Sequence, residues 1–105
     1  MYKLQTIIWS TSLTSIGTNA FQRCTGLISL TLPIGLTSLG QGAFADCTSL
    51  TTVTIPASVT SIEKYAFMRD TALTSVTYLG SSNPTCGDNI FGESGATYAD
   101  VPTGY

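Results

Sequence analysis

Apolar residues return along this chain at a constant spacing of 23 positions. Leu13, Leu36 and Val59 each open a stretch with the same order of residue types: LTSIGTNAFQRCTGLISLTLPIG, LTSLGQGAFADCTSLTTVTIPAS and VTSIEKYAFMRDTALTSVTYLGS. The columns that stay apolar in all three stretches are Ile16, Leu39 and Ile62; Ala20, Ala43 and Ala66; Phe21, Phe44 and Phe67; Leu27, Leu50 and Leu73; Leu30, Val53 and Val76; and Leu32, Ile55 and Tyr78. This periodicity predicts a solenoid whose coils bury their apolar side by stacking on one another.

Each coil contains one segment with the alternation of a half-buried strand. Around 30–32, 53–55 and 76–78, apolar residues alternate with hydroxyl residues, and stacking places these strands in one parallel sheet. Pro33 and Pro56 lack an N–H group and are expected to end the strand pairing. The Leu-Thr-Ser-Ile type segments that follow predict a second, shorter strand on the opposite face. The Ala-Phe pairs predict one turn of α-helix or 3₁₀-helix on the return path.

The same phase sets the expected domain organisation, a single solenoid domain over 1–105 with about four and a half coils. Its parts are a partial N-terminal repeat at 4–12, full repeats at 13–35, 36–58 and 59–81, and a degenerate repeat at 82–105. The degenerate repeat is expected to act as a C-terminal cap, because the last coil of a solenoid would otherwise expose its apolar end.

The column pattern L-x-x-I-G-x-x-A-F-x-x-C-x-x-L-x-x-L-x-L-P resembles that of the BspA-like leucine-rich repeats, most strongly over 4–79. The resemblance implies a curved, β-rich leucine-rich-repeat solenoid. Members of that family occur in surface proteins of anaerobic bacteria and parasitic protists, and are associated with adhesion and with protein–protein contacts. It therefore implies a cell-surface or extracellular location. The chain departs from the pattern at Asp70, which replaces the third cysteine, and at Leu79, which replaces a proline.

The composition disfavours most catalytic and nucleic-acid functions. Charged residues make up 10% of the chain and the net charge is −2, so no basic surface is expected for nucleic acid or an anionic membrane. Histidine is absent, which removes the usual general base and the commonest metal ligand. We therefore expect no enzyme activity, no cofactor and no metal site. No apolar run is long enough for a membrane helix, and any export signal is expected outside this segment.

The outward positions of the predicted sheet form a rectangular array of hydroxyl groups. Its members are Ser29 and Thr31, Thr52 and Thr54, and Ser75 and Thr77. One interpretation is that Ser and Thr are soluble residues compatible with strands. Another is that this face binds a protein partner through its hydroxyls. A third, ice binding, is disfavoured because sheet curvature and the serines break the regular threonine ladder.

Charged residues of the third repeat form a second candidate site at the rim of the solenoid. They are Glu63, Lys64, Arg69 and Asp70. One interpretation is a solvated edge, since exposed ion pairs contribute little; the other is a patch that adds specificity beside the sheet. The presence of Asp70 in the cysteine column predicts a rim position there, not a deep one.

The three cysteines do not indicate whether the protein occupies a reducing or an oxidising compartment. Cys24 and Cys47 share a column on adjacent coils, a spacing that allows a disulfide. The alternative is two reduced thiols that pack as small apolar groups. Cys86 is expected in the loop from Gly80 to Asp88, either as an unreacted thiol or as the partner of a cysteine in another chain.

The resulting prediction is a non-catalytic binding or adhesion module that contacts a protein partner through the hydroxyl face. The alternative is a structural spacer, or a fragment of a longer repeat array, that self-associates through its N-terminal edge. Ile8 and Trp9 are expected beside an unpaired strand there, and such an edge favours pairing with another chain.

Overall fold

The computed structural model describes residues 7–80 and 84–94, which contain seven short strands in two parallel sheets. In chain order the strands are β1 (Ser15–Ile16), β2 (Ser29–Thr31), β3 (Ser38–Leu39), β4 (Thr52–Ile55), β5 (Ser61–Ile62), β6 (Ser75–Tyr78) and β7 (Thr85–Cys86). We call β2, β4 and β6 the front sheet, and β1, β3, β5 and β7 the back sheet. The predicted parallel sheet and the shorter strands opposite it are both confirmed.

The register of the front sheet follows the sequence repeat. Its strands pair Ser29 with Thr52 and Thr52 with Ser75, in each case one repeat further along the chain. β4 ends at Ile55, directly before Pro56, as the missing N–H group of proline predicts. The described ranges complete about three turns, fewer than the four and a half expected. Positions 4–6 of the predicted partial repeat, and 82–83 and 95–105 of the predicted cap, lie outside these ranges.

The segments around the Ala-Phe pairs are hydrogen-bonded turns, so the expected turn of helix is wrong. Their N–H groups donate to the next coil: Phe21 to the carbonyl oxygen of Ala43 at 2.8 Å, and Phe44 to that of Ala66 at 2.9 Å. Because these donors bond between coils, they cannot make the bonds to i−4 that define an α-helix. The described ranges contain no helix of the length and apolar character needed to cross a membrane.

One apolar cluster fills the space between the two sheets. Phe21, Phe44, Phe67 and Phe91 stack through it, with successive ring centroids 5.2, 5.8 and 5.7 Å apart and interplanar angles of 6°, 9° and 9°. Phe44 and Phe67 are fully buried, whereas Phe21 is half-buried at the N-terminal end. The predicted stacking of the phenylalanine column is confirmed.

Cys86 lies in strand β7, so its expected position in a loop is wrong. β7 pairs with β5, and the partner of Cys86 is Ile62. The distance between these two residues along the chain is one residue longer than the repeat. Phe67 and Phe91, which stack on each other, show the same longer spacing. One extra residue between Tyr78 and β7 therefore shifts the phase of the last coil. A search at a fixed repeat length misses Cys86 for this reason.

Gly40 allows the first two coils to approach closely at the end of the back-sheet strands. A Cβ atom there would lie 2.6 Å from the carbonyl carbon of Gly17 and 2.7 Å from the backbone oxygen of Ile16. Backbone atoms cannot move aside without separating β1 from β3. We expect Gly40→Ala to lower the free energy of unfolding by roughly 1–3 kcal/mol, measured by chemical denaturation.

Gly17→Ala is the matched control for this prediction. It changes the same column, but a Cβ atom at Gly17 meets no atom within 4 Å. Equal losses of stability in the two variants would contradict the steric explanation.

Candidate binding surface

The six hydroxyl residues predicted as a binding surface lie together on the outer side of the front sheet, and we call them the front face. They form two columns across the strands: Ser29, Thr52 and Ser75 in one, and Thr31, Thr54 and Thr77 in the other. Five of the six are exposed, and Thr54 in the central strand is half-buried. They alternate with buried residues such as Leu30 and Val53, because successive side chains of a strand point to opposite faces.

Threonines outside the front face use their hydroxyls to hold the coils together. Oγ1 of Thr37 donates to the carbonyl oxygen of Thr14 at 2.9 Å, and Oγ1 of Thr51 donates to that of Ile28 at 3.0 Å. Each bond repeats one coil further along the chain. The front-face hydroxyls make no such side-chain bond within the described part of the chain. They are therefore available to a partner.

The four charged residues predicted as one rim site differ in their exposure and in their partners. Glu63 and Lys64 are exposed and follow β5 of the back sheet, and neither lies on a front-sheet strand. Arg69 lies on the next turn and pairs with Asp46 of the neighbouring coil. Asp70 is fully buried, so its expected rim position is wrong. The backbone of Arg69 is left-handed, with φ of 60°, and the chain re-enters the core at the next residue.

Asp70 belongs to a buried column that also contains Cys24 and Cys47. Its Oδ1 accepts from the N–H group of Cys47 at 2.8 Å. Its other oxygen, Oδ2, is buried without a hydrogen-bond partner in the described structure. Burial raises the pKa of Asp70 to about 9, because it disfavours the charged form, although the bond from Cys47 opposes this change. Asp70 is therefore protonated at neutral pH.

Cys24 and Cys47, in the same column, are fully buried, and neither forms a disulfide. Sγ of Cys47 donates to the carbonyl oxygen of Phe21 at 3.5 Å. Burial raises the pKa of both thiols, and a thiol held in its protonated form is a poor nucleophile. These contacts support the interpretation of the two cysteines as packing residues.

Comparison with protein families finds a match that extends over residues 1–104. The matching family model is the BspA type leucine rich repeat region, in six copies. The chain belongs to the BspA-type leucine-rich repeat family. The comparison with curated proteins and the comparison with solved structures each found no match. The resemblance of the repeat columns is thereby confirmed, and the parallel two-sheet coil is consistent with a BspA-type solenoid.

The turn side of this BspA-type solenoid carries a column of alternating charges that was not predicted from the sequence. Its members in coil order are Arg23, Asp46, Arg69 and Glu93, all with φ between 57° and 64°. Arg69 donates to both carboxylate oxygens of Asp46, at 2.6 and 3.1 Å, and its Nη1 lies 3.8 Å from Glu93. The hydrogen bond from Arg69 lowers the pKa of Asp46, and the charge of Arg23 adds to this effect. The sequence signal for this column is a charge that changes sign at each repeat.

The N-terminal end of the BspA-type solenoid exposes apolar surface. Ile8 is 97% exposed and Ile34 is 88% exposed. Trp9 packs edge-on against Phe21, and its indole N–H group donates to the carbonyl oxygen of Thr31 at 2.9 Å. Trp9 therefore covers part of the edge of β2. A cavity of about 320 Å³ lies at this end, and its apolar lining is Ile7, Ile8, Trp9, Leu13, Ile16, Ala20 and Phe21.

Proposed function

We propose that this chain is a protein-binding module that adheres to a partner through the front face. The observation that carries the proposal is that its threonine hydroxyls fall into two groups, one bonded between coils and one facing outward. The hydroxyls of Thr37 and Thr51 bond between coils, whereas those of the front face make no side-chain bond in the described ranges. The scaffold therefore holds together without the hydroxyls that face outward.

The chemistry of the front face suits an uncharged, polar partner surface. The six residues offer hydroxyls that both donate and accept hydrogen bonds, and none of the six carries a charge. Paired strands on both sides hold the central strand β4, so its side chains stand on a rigid platform. A rigid platform loses little conformational entropy when it binds, which favours affinity.

The proposed role is non-catalytic and located at a cell surface or outside the cell. Membership of the BspA-type family supports this proposal, because such repeats are associated with surface proteins and with protein contacts. The exposed residues Glu63 and Lys64 are proposed as a separate, secondary contact on the back-sheet side. Asp70 is not part of that contact because it is buried.

A triple substitution of the threonine column in the centre of the front face tests the proposal. We expect Thr31→Lys, Thr54→Lys and Thr77→Lys together to leave the fold intact and to weaken partner binding by at least about tenfold, because three charges replace neutral hydroxyls at the contact. The measurement is biolayer interferometry of the immobilised chain against a panel of purified extracellular matrix and plasma proteins, with circular dichroism to confirm folding.

The matched control is a triple lysine variant of the turn side. Thr25, Thr48 and Thr71 also form an exposed column, one residue from each repeat, so the control adds the same charge and the same repulsion between coils. Binding lost in the front-face variant and kept in the control supports the proposal. Equal binding by both triple variants, or a panel in which no protein binds the unaltered chain, contradicts it.

A further inference from the structure

Charge is distributed unevenly along the axis of this solenoid. Positions 1–45 contain two basic side chains and no acidic one, whereas positions 81–105 contain three acidic side chains and no basic one. The members of these two groups in the described ranges are Arg23 at the N-terminal end, and Asp88 and Glu93 at the C-terminal end, and all three are exposed. One end of the stack is therefore positive and the other negative.

We propose that copies of this chain associate head to tail, so that the acidic C-terminal coil of one copy docks on the basic N-terminal coil of the next. The contact uses the ends of the solenoid and leaves the front face free. It is therefore independent of the binding role proposed above. The occupant of each end is a second copy of this chain, because the two ends carry opposite charge.

Apolar surface at the N-terminal end supplies the attractive part of this contact. Four large apolar side chains are exposed in the described ranges, and three of them, Ile8, Ile28 and Ile34, belong to the first coil or the segment before it. Exposed apolar surface that is concentrated at one end of a molecule favours burial of that end in an assembly. The cavity next to Ile8 and Trp9 gives this end a concave, apolar centre.

Open strand edges favour the same arrangement. The back sheet runs in the order β1-β3-β5-β7, so β1 and β7 each have one edge without a paired strand in the described ranges. A head-to-tail stack keeps all strands parallel, as they are within the chain. A head-to-head contact would instead make β1 antiparallel to its counterpart and would bring Arg23 of both copies to the same interface.

The column of alternating charges gives the contact its polarity. Within the described ranges, Arg23 has an acidic neighbour in the column only on the side of Asp46, and Glu93 has a basic neighbour only on the side of Arg69. Glu93 is 73% exposed. A second copy stacked head to tail brings Glu93 to the side of the solenoid that carries Arg23 of the next copy, so each end gains a neighbour of opposite sign.

Sedimentation velocity of the full chain over a series of concentrations tests the association. We expect an average mass above the 11.0 kDa of one chain that keeps rising with concentration, because a head-to-tail contact does not close on itself. Raising the ionic strength about tenfold is expected to weaken the association because salt screens the charges.

Charge reversal at each end tests the polarity. We expect Arg23→Glu alone and Glu93→Arg alone each to weaken association by at least about tenfold, because like charges then meet. The double variant Arg23→Glu/Glu93→Arg and an equimolar mixture of the two single variants are both expected to associate again. Lys64→Glu is the control, because it makes the same change in net charge as Arg23→Glu but lies in the third repeat and should still associate.

Three results would overturn the proposal: a monomer at every concentration, association that Glu93→Arg leaves unchanged, or a double variant that does not recover. The second result would indicate a head-to-head contact. Thermal melts confirm that each variant is folded, and Arg23→Gln with Glu93→Gln replaces any reversal that unfolds. These neutral variants are expected to weaken association in the same direction.

Discussion

Replacing Asp70 with asparagine is expected to stabilise the fold at neutral pH and to remove most of the dependence of its stability on pH between about 4 and 9. Asp70 is fully buried, and its Oδ2 has no hydrogen-bond partner in the described structure. The asparagine oxygen can still accept the bond from Cys47 that Oδ1 accepts now. Asparagine keeps the shape of the side chain but cannot ionise.

The direction of the effect follows from the raised pKa of Asp70. In the folded chain this pKa is about 9, above the ordinary value of 3.8, because burial disfavours the charged form. The contribution of the protonated carboxyl is therefore fully present below pH 3.8 and is lost as the pH rises through about 9. At pH 7 the free energy of unfolding is therefore lower than at acid pH, below 3.8, by up to about 4 kcal/mol.

The gain expected for Asp70→Asn at pH 7 is about 1–3 kcal/mol, because the buried amide NH₂ group also lacks a partner and offsets part of the benefit. Chemical denaturation at pH 4, 7 and 9 measures it. Asp88→Asn is the control because the side chain of Asp88 is exposed, and it should keep the slope of the unaltered chain. The same slope in Asp70→Asn would contradict the buried, protonated carboxyl.

Asp70→Cys provides a second variant with a different side chain. Free, buried thiols already occupy this column at Cys24 and Cys47, so cysteine restores the column of the first two coils. It should also remove the pH dependence below the range in which a thiol ionises. A loss of stability in both Asp70 variants would indicate that the carboxyl makes a favourable contact.

Replacing Phe44 with alanine is expected to lower the free energy of unfolding by about 3–5 kcal/mol. Phe44 is fully buried and stacks on Phe21 at 5.2 Å and on Phe67 at 5.8 Å. Its removal leaves a cavity between two coils that cannot close, because hydrogen bonds from Phe44 to Ala66 and along both sheets fix the spacing of the coils.

The control for Phe44→Ala is Phe21→Ala, at the half-buried N-terminal end of the stack. Its loss should be smaller, because solvent or side-chain movement can fill the space. Thermal and urea denaturation give both values. A loss at Phe21 as large as that at Phe44 would contradict the view that each coil is stabilised mainly by neighbours on both sides.

The candidate site could be predicted in part. The six residues of the front face follow from the alternation of apolar and hydroxyl residues, because a strand points successive side chains to opposite faces. Which hydroxyls are free does not follow, since Thr51 and Thr54 are of the same type and only the backbone of the neighbouring coil decides that Thr51 donates to Ile28. Their role in binding remains a prediction.

The sequence by itself determined the coil and its register, because residues one repeat apart must stack when every coil has the same length. The parallel sheets and the phenylalanine stack follow from that spacing alone. Only the tertiary structure decided the depth of Asp70, the strand position of Cys86 and the absence of a helical turn in the described coils. The depth of Asp70 depends on the left-handed turn before it, the position of Cys86 on a single inserted residue, and the absence of a helical turn on hydrogen bonds between coils. All three depend on how one coil meets the next, and the pattern within one repeat does not contain that information.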